Sequence, residues 1–91
     1  MPVHKATVKI CNMKGLHARA SSKFVNTAND FESEISVARG NESVNGRSIL
    51  DLMMLAAARG DSIDIVADGE DAESAVCTLT QLVSDRFGES C

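Results

Sequence analysis

The chain has no tryptophan and no tyrosine, and its only aromatic residues are three phenylalanines. A platform on which nucleic-acid bases could stack is therefore missing. Basic runs are missing too: nine Lys and Arg stand against 13 Asp and Glu, for a formal net charge of −4. A protein that binds a phosphate backbone needs a patch of positive charge, so nucleic acid is not expected as a partner. No stretch approaches the ~18 consecutive apolar residues of a membrane helix. Met1 to Ile10 alternates polar and apolar residues and is not followed by the apolar region of a signal peptide. Cysteine is sparse. Cys11, Cys77 and Cys91 are widely spaced, with no CxxC pair and no Cys/His cluster. They read as three reduced thiols in a cytoplasmic protein that holds no metal.

What remains suits one domain. With 91 residues, 44% of them hydrophobic, the chain can build a single modest core. Residues 5 to 11 alternate, with Ala6, Val8 and Ile10 on one face, and predict a half-buried strand. Asn12 to Gly15 is a loop. From Ala18 to about Asn29, Ala20, Phe24 and Ala28 recur at helical spacing beside Val25. Ser33 to Arg39 alternates again, and Gly40-Asn41 turns the chain into a short strand around Val44. A brief apolar helix is expected from Ser48 to about Ala58, stopped by Gly60. Asp61 to Asp68 is a strand, and a last helix from near Glu70 buries Ala72, Ala75, Val76, Leu79, Leu82, Val83 and Phe87. Glu70, Asp71 and Glu73 in its first turn suit the positive end of the helix dipole. The order βαββαβα predicts an α+β open-faced sandwich: one four-stranded antiparallel sheet with helices over one face.

Chemistry concentrates at Gly15-Leu16-His17-Ala18-Arg19. His17 falls where loop meets helix, and the N–H groups from Ala18 to Ala20 are donors without helical partners. Such a helix start binds anions, and Arg19 adds a fork of donors suited to phosphate oxygens. A neutral ring nitrogen there could attack a phosphoryl donor. On physical grounds alone a helix-start histidine is more often an inert cap, and both readings stay open at this point. His4 has no such setting.

Asn12-Met13-Lys14-Gly15-Leu16-His17-Ala18-Arg19 closely resembles N-x-x-G-L-H-A-R, the phosphorylation-site motif of the HPr family of phosphocarriers. A second block, Val44 to Ala57, resembles the serine-site segment of that family, and spacing, element order and length agree as well. The resemblance implies a single HPr-like domain over 1–91, with no cofactor. It implies that His17 takes a phosphoryl group on Nδ1 from enzyme I and passes it to an enzyme IIA, for sugar uptake or for nitrogen and carbon regulation. Arg19 would steady the phosphate, with Ala18, Arg19 and Ala20 forming its binding site. Ser48 matches the serine that an HPr kinase/phosphorylase modifies in some members. Leu16, Ile49, Leu50, Leu52 and Met53 would dock the partners, and about half of these apolar residues are expected to be ordinary core. A transient docking partner is expected to be a monomer.

Two positions depart from the family pattern. Ala20 stands where many members have Pro, a change that a first helical turn tolerates. Asp51 stands where sugar-branch members often have Gly or Lys. It would repel a phosphate on Ser48 and hints at partners of the nitrogen branch, which uses the paralogue NPr. Ser48-x-x-Asp51 also reads as an acidic capping box, which accounts for both residues without any regulation. Two other classes compete with the carrier. One is an acylphosphatase-like enzyme on the same coarse topology, which would release phosphate to water. The other is a regulatory binding module without phosphotransfer. A nucleophilic His beside the Arg favours the carrier over both.

Overall fold

In the computed structural model, which describes residues 2–90, the alternating segments pair into one antiparallel sheet. Its strands are β1 (Val3–Lys9), β2 (Glu34–Arg39), β3 (Glu42–Asn45) and β4 (Ser62–Asp68), in the spatial order β1-β4-β2-β3. The helices are α1 (Ala18–Ala28), α2 (Ile49–Met54) and α3 (Ala72–Ser84), followed by a 3-10 turn at Arg86–Gly88. The expected βαββαβα order is thus the observed one. Central β4 buries Ile63, Ile65 and Ala67 on one face, and the register sets these against Val8, Ala6 and His4 of β1. On its other side Ile65 and Ala67 meet Val37 and Ile35 of β2. These cross-strand apolar pairs stabilise the sheet and make the floor of the core. Phe24, Leu52, Leu79, Val83 and Phe87 fill the space between floor and helices. The opposite face carries Lys5, Thr7 and Asp64, joined by a Thr7 Oγ1–Asp64 Oδ1 hydrogen bond of 2.5 Å.

The β2–β3 turn has two residues, Gly40 and Asn41, between the paired Arg39 and Glu42. Gly40 at φ +60° supplies the left-handed conformation that a tight hairpin turn needs at its first position. The connector from α1 to β2 is held by two charged side chains that periodicity does not reveal. The Arg47 guanidinium donates to the carbonyls of Ala28, Phe31 and Ser33, and so satisfies the open C-terminal end of α1. Asp71 accepts from the N–H groups of Glu32 and Ser33 and from the Ser33 hydroxyl. It starts α3 without capping it by its side chain.

Element ends differ from the sequence expectation. The first strand is Val3–Lys9 rather than 5 to 11. Helix α2 ends at Met54, not near Ala58, and Gly60 is not its stop. Leu55 closes it, and Ala56 takes φ +57°, a left-handed conformation that breaks the helix one residue later. The break lets the Ala57 carbonyl accept from the Leu16 N–H at 3.0 Å. The last helix starts at Ala72 instead of Glu70 and ends at Ser84. Phe87 therefore reaches the core from the 3-10 turn, with φ +55°. Cys11 and Cys77 are free and exposed; Cys91 lies outside the described residues.

Candidate functional site

Gly15 decides where the site stands. It has φ +62°, and a Cβ on it would lie 2.4 Å from the Ala57 carbonyl oxygen. Only glycine lets this loop and the end of α2 approach so closely. The chain then passes through buried Leu16 to His17, the N-cap of α1, whose backbone is extended at φ −78°, ψ −179°. The first bond of the helix runs from the Ser21 N–H to the His17 carbonyl at 2.9 Å. The N–H groups of Ala18, Arg19 and Ala20 consequently have no acceptor within the helix. His17 Nδ1 accepts from the Arg19 N–H at 3.3 Å. Ala20, expected to help bind the phosphate, is fully buried, backbone and side chain alike, while Ala18 and Arg19 are exposed.

The other ring nitrogen has a partner that the sequence did not disclose. Nε2 lies 2.7 Å from Glu89 Oε2, across 72 positions of sequence. A carboxylate only accepts, and Nδ1 already accepts from Arg19. The neutral ring that satisfies both bonds carries its proton on Nε2 and leaves the Nδ1 lone pair facing the helix start. Glu89 Oε1 in turn accepts from Asn12 Nδ2 at 3.2 Å, and the same amide donates to the Gly15 carbonyl at 2.9 Å. Burial pushes the Glu89 carboxyl up. The hydrogen bonds from His17 and Asn12, with the charge of Arg19, outweigh it and bring the carboxyl below its ordinary value. Donors thus stand on the Nδ1 side of His17 and a carboxylate on its Nε2 side. A further tie comes from Lys23 on α1, whose Nζ donates to the Phe87 carbonyl at 2.7 Å.

The expected docking residues divide. Ile49, Leu50 and Met53 are 41%, 65% and 40% exposed and form one apolar face of α2. Leu16 and Leu52 are not on that surface. They are 5% and 0% exposed, because Leu16 turns under the loop and Leu52 faces the core from the inner side of a six-residue helix. Met54 and Met13, at 70% and 59%, join the exposed apolar set that sequence reading had not named. Ser48 is the N-cap of α2, its hydroxyl accepting from the Asp51 N–H at 3.1 Å. The capping box closes on that side only, since the Ser48 N–H donates to the Asn45 carbonyl instead. Among the described residues no three His, Cys, Asp or Glu side chains are grouped to hold a metal ion.

Comparison with known proteins bears on this geometry. The family model described as PTS HPr component phosphorylation site matches residues 4–85. The phosphocarrier protein HPr of Neisseria meningitidis serogroup A is 49% identical over 85 residues, covering 93% of this chain and 96% of the relative. The phosphocarrier protein NPr of Shewanella violacea is 37% identical, covering 91% of each chain. The crystal structure of HPr-C-His from Thermoanaerobacter tengcongensis superposes with a TM-score of 0.92 at 39% identity, over 97% of this chain and 99% of that one.

Proposed function

The chain belongs to the HPr family of phosphotransferase-system phosphocarriers, and from that premise we propose that it relays a phosphoryl group through His17. The donor is a phosphorylated enzyme I, charged from phosphoenolpyruvate, and the acceptor an enzyme IIA. The observation that carries this reading is His17 at the start of α1, its Nδ1 accepting from the Arg19 N–H beside exposed Ala18, whose N–H has no acceptor within the helix.

The Nδ1 lone pair attacks phosphorus and the Nδ1–P bond forms. The bond from phosphorus to the donor breaks, and its electron pair stays on the donor. The ring gains the positive charge that the donor loses. As the phosphoryl group arrives, the Arg19 N–H exchanges the ring nitrogen for a phosphoryl oxygen. The Ala18 N–H and the Arg19 guanidinium donate to the other phosphoryl oxygens. Onward transfer reverses each step: the acceptor attacks phosphorus and the electron pair returns to Nδ1. We read the protein as a stoichiometric carrier, which hands the phosphoryl group to the next protein.

Docking falls to the exposed face of Ile49, Leu50 and Met53, extended by Met54 and Met13. These apolar side chains stand exposed, as a transient partner surface requires. We read the protein as a cytoplasmic monomer, as the family reading of a transient docking partner implies. For Ser48 the cap is the primary role. Phosphorylation by an HPr kinase/phosphorylase is retained as a second reading, because the hydroxyl is only half-buried at the edge of the docking face.

The test is incubation with purified enzyme I and phosphoenolpyruvate, followed by intact mass measurement. One added phosphoryl group, labile in acid and stable in alkali as a P–N bond is, supports the reading. Release of phosphate from a generic acyl phosphate, without a stable adduct, would favour the acylphosphatase-like enzyme.

A further inference from the structure

We infer that Glu89 is a positioning residue for phosphotransfer, holding the His17 ring so that Nδ1 and not Nε2 is the free nucleophile. The inference rests on the carrier reading above. Glu89 lies past residue 85, where the match to the family model ends.

Three contacts fix the tail against the site. Phe87 is buried under α1, Lys23 Nζ holds the Phe87 carbonyl at 2.7 Å, and Asn12 Nδ2 holds Glu89 Oε1 at 3.2 Å. Asn12 is itself fully buried and anchored to the Gly15 carbonyl, so the carboxylate is set by a rigid group. With Oε1 held, Oε2 meets Nε2 at 2.7 Å, a charge-assisted distance. Both side chains are largely covered, 24% exposed for His17 and 13% for Glu89. Less water competes for the bond than at an open surface.

This arrangement does two things. It fixes the ring's rotation and its tautomer, in the way a carboxylate orients a catalytic histidine. It also places a negative charge beside Nε2, on the side of the ring away from the arriving phosphoryl group, where the positive charge develops once Nδ1–P has formed. Glu89 touches neither phosphorus nor the donor; it acts through His17.

The experiment compares wild type, Glu89→Ala and Glu89→Gln by nitrogen NMR of the His17 ring and by the rate of phosphorylation from enzyme I. In wild type, at a pH where the ring is neutral, Nε2 should carry the proton and Nδ1 the lone pair. Glu89→Ala should give a mixture of tautomers and a rate lower by roughly ten- to a hundredfold, the size of one charge-assisted hydrogen bond. Glu89→Gln keeps an oxygen acceptor and loses the charge. It should preserve the tautomer and recover only part of the rate. An unchanged tautomer in Glu89→Ala, or a mixed tautomer at wild-type rate, would overturn the inference. If wild type itself takes no phosphoryl group, the carrier reading falls instead. The nitrogen spectra need no donor and still decide whether Glu89 sets the ring.

Discussion

Helices α1 and α2 each open on a side chain that accepts from the backbone of the first turn: His17 Nδ1 from Arg19, and Ser48 Oγ from Asp51. The two caps play the same part in their helices and differ in what lies beyond them. Ser48 has one polar atom, and capping accounts for it. His17 has two, and the second is tied to a carboxylate from the far end of the chain. The first turn of α1 holds no acidic residue, whereas that of α2 holds Asp51. An anion is favoured at the first and opposed at the second. A cap becomes a chemical site when its donors are left for a ligand and its own ring is oriented by something else.

The sharpest way to break this comparison is His17→Ala. It should abolish phosphorylation by enzyme I, read by intact mass, while Ser48→Ala should leave it at the wild-type level. An adduct persisting in His17→Ala would move the chemistry elsewhere. Next in size is Arg19→Ala, which removes the charged fork and leaves the backbone donors of α1. Stopped-flow or quench measurements should show transfer slower by on the order of 10²-fold. A wild-type rate would mean that the helix start alone suffices.

The remaining predictions sharpen the difference instead. Ser48→Ala should lower unfolding stability by ~1 kcal/mol, measured in urea, as the loss of an N-cap does. Treatment with an HPr kinase/phosphorylase then separates the two roles of that serine. A phosphate on Ser48 that weakens enzyme I binding would establish regulation, and Asp51→Gly should make modification easier by removing a like charge. If nothing is modified, the cap stands alone.

The smallest effect concerns acid. Asp71 is held below its ordinary value of 3.8, first by the Ser33 hydroxyl and then by the Glu32 N–H. Glu89 is likewise held below 4.5, although burial opposes the shift. A carboxyl with a lowered folded pKa binds fewer protons in the native state. Its stabilisation is complete above the ordinary value and is lost as pH falls through the folded one. Melting temperature should therefore decline on acidification below about pH 4.5, and Glu89→Gln should flatten part of the decline. A parallel curve for that variant would show that Glu89 adds nothing to the fold's acid response.

Much of this was legible in the chain itself. Alternation in 62–68 and the i, i+4 spacing of Ala20, Phe24 and Ala28 are local patterns, and the strand and helix they predict are present. His17, Arg19 and Ser48 carried local signals too, because a helix start is written in the few residues around it. In sequence the exposed Ile49, Leu50 and Met53 are indistinguishable from buried Leu16 and Leu52. An apolar helix shows its composition in sequence, but which side faces the core depends on where α1 lies. Helix α2 ends earlier than its sequence predicts because its stop is the left-handed Ala56, and alanine gives no warning of that conformation.

By itself, then, the order of residues determined the element order, the antiparallel sheet with one covered face, and a histidine at a helix start beside an arginine. Each follows from interactions within a few residues, or from burial of one periodic face. Only the tertiary structure decided which ring nitrogen is free, which leucines are core, and that a carboxylate 72 positions away lies against His17. Those outcomes depend on packing between elements remote in sequence. The positions of Asn12, Lys23 and Phe87 that bring Glu89 to the ring have no local pattern to announce them.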